Sequence, residues 1–150
     1  MIFYLGPEGT HSQEAACRWG GGGAALCPCR SLPETLGQLA RQEGAAAVVP
    51  IENSVEGPVT QTLDLLAATR GLTVAAAFGL PVRHCLAAAP GTAPGGIRTV
   101  YSHPQALAQC GIWLDAHLPG ALRLPLASTS EAARRVAGEA GAAAVASRMA

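Results

Sequence analysis

The chain has 150 residues, enough for one ordinary domain or two small lobes, and 49% of them are hydrophobic, so a core is easily built. Charged residues make up only 13%, and ten basic residues, all arginine, balance ten acidic ones, which leaves no net field to favour nucleic acid or an anionic membrane. No apolar run approaches the ~18 residues of a membrane helix, and Met1 leads into "IFYLGPEGT" without the basic and apolar segments of a signal peptide, so a cytoplasmic protein is expected.

"IFYL" (2–5) reads as a short buried strand, the glycine-containing turn "GPEGT" follows, and "HSQEAACRW" reads as a helix. Glycines 20–23 break the chain before "AALC". "SLPETLGQLARQEG" carries Leu32, Leu36 and Leu39 at helical spacing and is expected to stop at Gly44. "AAAVVPI" is the next strand, and "VTQTLDLLAATRG" a helix with Pro58 near its first turn and Gly71 past its last. "LTVAAAFGL" and "HCLAAA" read as two strands, and "PGTAPGG" as a loop. "RTVYS" is a strand, "PQALAQCGIWLDAHL" a helix, "LRLPLA" a strand, "SEAARRVAGEAG" a helix and "AAAVAS" a last strand.

Apolar strands alternating with helices predict an α/β fold with mostly parallel sheets. The strand pair after Gly71 breaks the alternation and marks a passage between two lobes, about 1–75 and about 76–150. Five cysteines (Cys17, Cys27, Cys29, Cys85, Cys110) are an odd number without framework spacing, and neither "CPC" nor any Cys/His pair has metal-ligand spacing. Reduced thiols and no metal are expected.

Four helix starts share a capping-box pattern: Thr10 with Gln13, Ser31 with Glu34, Ser102 with Gln105, and Ser128 with Glu131. As caps alone such boxes contribute ~1 kcal/mol each, and Ser31–Glu34 is read as no more than that. The other three sit at strand-to-helix turns, where the carboxyl ends of parallel strands open onto a crevice and free N–H groups suit anions. "IENS" lies at a fourth such turn. There Asn53, the only asparagine of the chain, stands with Glu52 and Ser54 at the end of an apolar strand. Four polar turns on one side of a sheet system suggest a small, multiply anionic ligand. The four histidines (His11, His84, His103, His117) are scattered, and no nucleophile elbow, Walker loop or dinucleotide fingerprint occurs.

"FYLGPEGTHSQEAA", "VVPIENSVEGPVTQTLDLL", "VYSHPQALAQC" and "STSEAARRVA" resemble, in order and spacing, the catalytic domain of prephenate dehydratases. The resemblance implies a two-lobed α/β fold like type II periplasmic binding proteins, with a cleft between lobes. It implies a lyase that converts prephenate to phenylpyruvate in phenylalanine biosynthesis, without a cofactor. Carried over by motif, Asn53, Ser102 and Gln109 would contact the substrate, with Glu52, Ser54, Thr10, Ser128 and Thr129 beside them. His103 would either touch ligand or pack behind Ser102. The resemblance also implies a departure. The family's late Thr-Arg-Phe segment, whose threonine protonates the leaving hydroxyl, has no match here, since Thr69–Arg70 is followed by Gly71. On that reading the chain is a partial catalytic domain, its catalytic residue unknown, without the phenylalanine-binding ACT domain. A homodimer is compatible with the resemblance. Two other readings remain open: a non-catalytic solute-binding module of the same fold, and polar turns that are only helix caps.

Overall fold

The computed structural model describes all 150 residues and divides into two compact units, Met1–Pro81 and Val82–Ala150. It is an α/β structure, as the alternation predicts. In the first unit β1 (Ile2–Leu5) leads to α1 (His11–Gly20), β2 (Leu26–Cys29), α2 (Leu32–Leu39) and β3 (Ala46–Val48). Two-residue strands β4 (Glu52–Asn53) and β5 (Gly57–Pro58) form a small antiparallel ladder before α3 (Thr60–Ala68). The main sheet is parallel throughout, in the order β2-β1-β3. Ile2, Tyr4 and Ala16 are its buried apolar core, with Leu26, Ala46 and Val48 half-buried against them.

The glycine run has a packing reason. A Cβ on Gly20 would collide with Ile2 Cδ1 and with Ala24 Cβ, so only glycine lets α1 close onto the start of β1. Gly21 then leaves the helix at φ 65°, in the left-handed region that glycine enters without strain.

Three expected elements of the first unit are shorter than their sequence patterns. Helix α2 ends at Leu39 instead of Gly44, because residues 40–44 are exposed and carry no apolar face to hold a further turn. Strand β3 stops before Val49–Pro50, where proline has no N–H to give the ladder. Pro58 pairs with Glu52 in β5, so α3 begins two residues later, at Thr60. The buried Thr62 donates its hydroxyl to Pro50 O at 2.7 Å and ties α3 to the end of that strand.

"LTVAAAFGL" is not a strand. It runs through its unit without a ladder partner, with Val74 and Phe78 exposed. Apolar composition proposes a strand, but a strand also needs a neighbour to pair with. Phe78 instead stacks on Trp19 of α1, centroids 6.5 Å apart.

The second unit holds β6 (Cys85–Ala88), β7 (Thr99–Ser102), α4 (Pro104–Gln109), α5 (Gly111–His117), β8 (Leu122–Pro125), α6 (Thr129–Val136) and β9 (Ala142–Ala146). Its sheet has the order β6-β9-β7-β8, with only β6 antiparallel. Every residue of β9 is buried. Ala143 and Val145 join Val100, Leu107 and Leu114 on one face, while Ala142 and Ala144 join Tyr101, Ala132 and Val136 on the other. The expected helix over "PQALAQCGIWLDAHL" is two, broken at Cys110 (φ −92°, ψ 3°) just before Gly111. No helix of the protein is long and apolar enough to cross a membrane.

Candidate functional site

Within each unit the parallel strands point their carboxyl ends the same way, and most of the polar turns gather there. In the first unit the turns after β1, β2 and β3 share that edge, and Gly6 N donates to Cys29 O at 2.8 Å to hold the first two together. Thr10 caps α1: its hydroxyl accepts from Gln13 N at 3.3 Å, and Gln13 Oε1 accepts from Gly9 N at 2.6 Å. Ser31 and Glu34 form the same reciprocal box, with Glu34 Oε2 accepting from Arg30 N.

Asn53 is half-buried between exposed Glu52 and Ser54. Its Oδ1 accepts from Val55 N at 2.9 Å, an Asx turn that shapes the "ENSVEG" loop. The bond leaves the side-chain NH2 without a partner inside the chain. An amide suits this position because one atom can close the turn while the other still donates to an anion. An aspartate there would offer only acceptors.

In the second unit the expected Ser102–Gln105 box does not form. Pro104 takes the first helical position, as its fixed φ favours, so the cap moves to His103, whose Nδ1 accepts from Gln105 N at 3.3 Å. His103 is exposed and is the cap, not packing behind Ser102. Ser102 is fully buried at the end of β7 and donates its hydroxyl to Val145 O at 2.5 Å. Ser128 does cap its helix, α6, accepting from Glu131 N at 3.1 Å, and Thr129 is that helix's first residue. Leu126 N donates to Ser102 O at 2.9 Å, which sets the β8–α6 turn beside the end of β7.

Gln109, the last residue of α4, pairs its Oε1 with His84 Nε2 at 2.8 Å. In the sequence His84 is one of four scattered histidines. It stands one residue before β6, and Cys85 is in register with Ala146 at the carboxyl end of β9. Because β6 runs against its neighbours, its start lies at their carboxyl ends, and this brings His84 to the same edge as Ser102 and Ser128. The break in alternation after Gly71 was the signal that could have placed it.

A cavity of about 500 Å³ in the second unit lies at the opposite edge, lined by Pro90, Thr92, Gly96, Gly138 and Gly141 among others. It follows the carboxyl end of α6, where the helix dipole is negative, and no charged side chain lines it. It is the wrong end for an anion.

All five cysteines are free thiols, and burial raises the pKa of both Cys29 and Cys110, which makes neither an activated nucleophile. Nowhere do three His, Cys, Asp or Glu side chains converge as metal ligands. What the carboxyl edges offer is a set of neutral amides, hydroxyls and backbone N–H groups, suited to holding an anion in place.

Residues 2–150 match the family described as Prephenate dehydratase. The chain is 42% identical over 136 residues to a bifunctional chorismate mutase/prephenate dehydratase of Neisseria gonorrhoeae, covering 91% of this chain and 37% of that one. The crystal structure of a prephenate dehydratase from Arthrobacter aurescens in complex with L-Phe superposes with TM-score 0.78 at 34% identity, covering 99% of this chain and 50% of that one. GqqA, described as a novel type of quorum quenching acylase, gives TM-score 0.80 at 27% identity over 99% of this chain and 54% of its own. This chain therefore spans from about a third to about half of the length of these proteins. With its Gly-Pro-Glu-Gly-Thr, Ile-Glu-Asn-Ser and Ser-His-Pro-Gln turns at strand ends, it belongs to the prephenate dehydratase family.

Proposed function

We propose that the chain binds prephenate and serves in its conversion to phenylpyruvate, a hydro-lyase step of phenylalanine biosynthesis in the cytoplasm. The observation that carries this reading is Asn53, an amide with one atom fixed in a turn and its NH2 unpartnered at a strand end. Thr10, Glu52, Asn53 and Ser54 of the first unit, and Ser102, Gln109, Ser128 and Thr129 of the second, are the proposed substrate-binding positions. Each group is proposed at the carboxyl edge of its own unit's sheet, where α1 in the first unit and α6 in the second present free N–H groups.

The reaction explains the residue types. The bond from the ring to its carboxylate breaks, carbon dioxide departs, and that electron pair enters the ring as the hydroxyl leaves with an added proton as water. Aromatisation supplies the driving force, so neither a strong nucleophile nor a metal is required of these residues. Holding a dianion in the reactive geometry, with one weak acid at the hydroxyl, lowers the barrier by several kcal/mol. Neutral donors such as Asn53 and Gln109 bind the substrate's charges and leave one carboxylate free to depart.

Acylase chemistry, named for GqqA, finds less support, because the hydroxyl of Ser102 is committed to Val145 O and no base activates it. We take a homodimer, the simplest symmetric assembly, as the working oligomeric state.

The test is phenylpyruvate formation from prephenate by the purified chain, at mildly alkaline pH to suppress acid-catalysed breakdown. Turnover that Asn53→Ala lowers at least tenfold supports the reading. Prephenate binding without turnover would place the proton donor outside these 150 residues. Folded protein that neither binds nor converts prephenate would sink it.

A further inference from the structure

Gln109 is exposed at the end of a six-residue helix, with a side chain that has many rotamers to lose. Ordering such a side chain on ligand binding costs ~1.5–2 kcal/mol of rotamer freedom. A primary amide also has two faces, an oxygen that repels a carboxylate and a nitrogen that donates to it. A free glutamine would have to be both ordered and turned the right way each time ligand arrived.

The pairing with His84 resolves both problems. Nε2 lies 2.8 Å from Gln109 Oε1, and no other hydrogen bond engages the amide. His84 is partly buried where its strand enters the sheet, with Cys85 held in the ladder against Ala146. A ring nitrogen that carries the proton donates to Oε1 and turns the amide NH2 outward. A ring nitrogen without the proton would accept from the NH2 and turn the oxygen outward, toward the anion.

We propose that His84 is a positioning residue, which donates from Nε2–H to Gln109 Oε1 and so holds the Gln109 amide with its N–H donors facing an anionic ligand at the carboxyl edge of the sheet. The inference rests on the reading of Gln109 as a prephenate-binding residue. It assigns His84 no contact with the substrate, so its effect passes through Gln109 alone.

A double-mutant cycle separates this from a general structural role. Prephenate affinity is measured by calorimetry for His84→Phe, Gln109→Ala and the double variant, with thermal unfolding to confirm that each folds. Loss of one hydrogen-bonded arrangement predicts about fivefold to tenfold weaker binding for His84→Phe. Gln109→Ala should lose at least as much, and adding His84→Phe to it should cost less than twofold more. His84→Gln, which keeps a donor nitrogen, should recover most of the affinity. Additive losses, or full affinity in His84→Phe while Gln109→Ala is weakened, would overturn the inference.

A ligand-free readout distinguishes its failure from failure of the reading beneath it. Long-range nitrogen–proton NMR of the His84 ring should show the Nε2–H tautomer, perturbed by Gln109→Ala. If wild-type protein does not bind prephenate but shows this tautomer, the assignment of ligand is wrong and the pair stands. An Nδ1–H tautomer means that Nε2 accepts from the amide NH2 and turns the oxygen outward, which overturns the inference.

Discussion

The first unit's central strand β1 has parallel neighbours on both edges, yet β2 and β3 remain largely half-exposed, and Tyr4 is buried with a hydroxyl that finds no partner. In the second unit β9 is buried along its whole length, and the buried Ser102 hydroxyl is satisfied by Val145 O. The polar turns follow the same contrast. Asn53 sits on a two-residue ladder between exposed residues, whereas Ser102 is fixed inside the sheet and Gln109 is tied to His84. A sheet covered on both faces can hold its polar groups rigidly. One with a thinner core presents them on loops that can still adjust.

The largest expected effect tests the cores directly. Leu114 is fully buried and Leu36 nearly so, and truncating either leaves a cavity. Leu114→Ala should cost ~4 kcal/mol and Leu36→Ala ~2–3 kcal/mol, the smaller loss reflecting a site better able to collapse. Trp19 and Trp113 place one fluorescent probe in each unit. Urea unfolding of Trp19→Phe and Trp113→Phe backgrounds therefore reads the units separately, and equal losses would break the comparison.

The next effect is one of pH. Burial pushes the Tyr4 hydroxyl up to about 12 from its ordinary 10.0. Between those values the folded chain keeps a proton that the unfolded chain gives up. Stability from this group is thus intact below about pH 10 and falls as pH rises toward about 12, by roughly 1–3 kcal/mol. The wild-type and Tyr4→Phe unfolding curves should diverge over that interval, since Phe has nothing to ionise. Parallel curves would mean that Tyr4 is wet or bonded in solution.

Ser102→Ala should cost ~1–2 kcal/mol, because it leaves Val145 O buried without its donor. Ser128→Ala should cost ~1 kcal/mol through the lost helix cap. The smallest effect has the opposite sign. Near neutral pH, Tyr4→Phe should be neutral or stabilise by up to ~1 kcal/mol, because it removes a hydroxyl that burial leaves unpaired. Denaturant midpoints check all three.

Much of this was legible from residue order. Alternating apolar runs predict the two mostly parallel sheets, and the caps at Thr10, Ser31 and Ser128 form as their spacing requires. What failed did so where local pattern competes with a neighbour. Ser102 has the same spacing to Gln105 as the true caps, but Pro104 moves the helix start by one residue and the sheet claims the hydroxyl. The segment "LTVAAAFGL" has strand composition and no strand beside it. His84 carries no local signature at all, since its place at the site edge comes from the antiparallel run of β6, a property of sheet topology. Asn53 stood out in sequence as the only asparagine, though its Asx turn, and hence which atom faces outward, needed coordinates.

The central claim is that anion binding occurs at the carboxyl edges of the two sheets. The most direct measurement is a titration of the nitrogen-15-labelled chain with prephenate, followed by amide NMR shifts. The account predicts shifts concentrated at 9–14, 52–56, 102–109 and 128–131, with the Asn53 and Gln109 side-chain amides among the largest. Shifts confined to the 89–96 and 137–141 loops around the opposite cavity, or none in a folded chain, would contradict it.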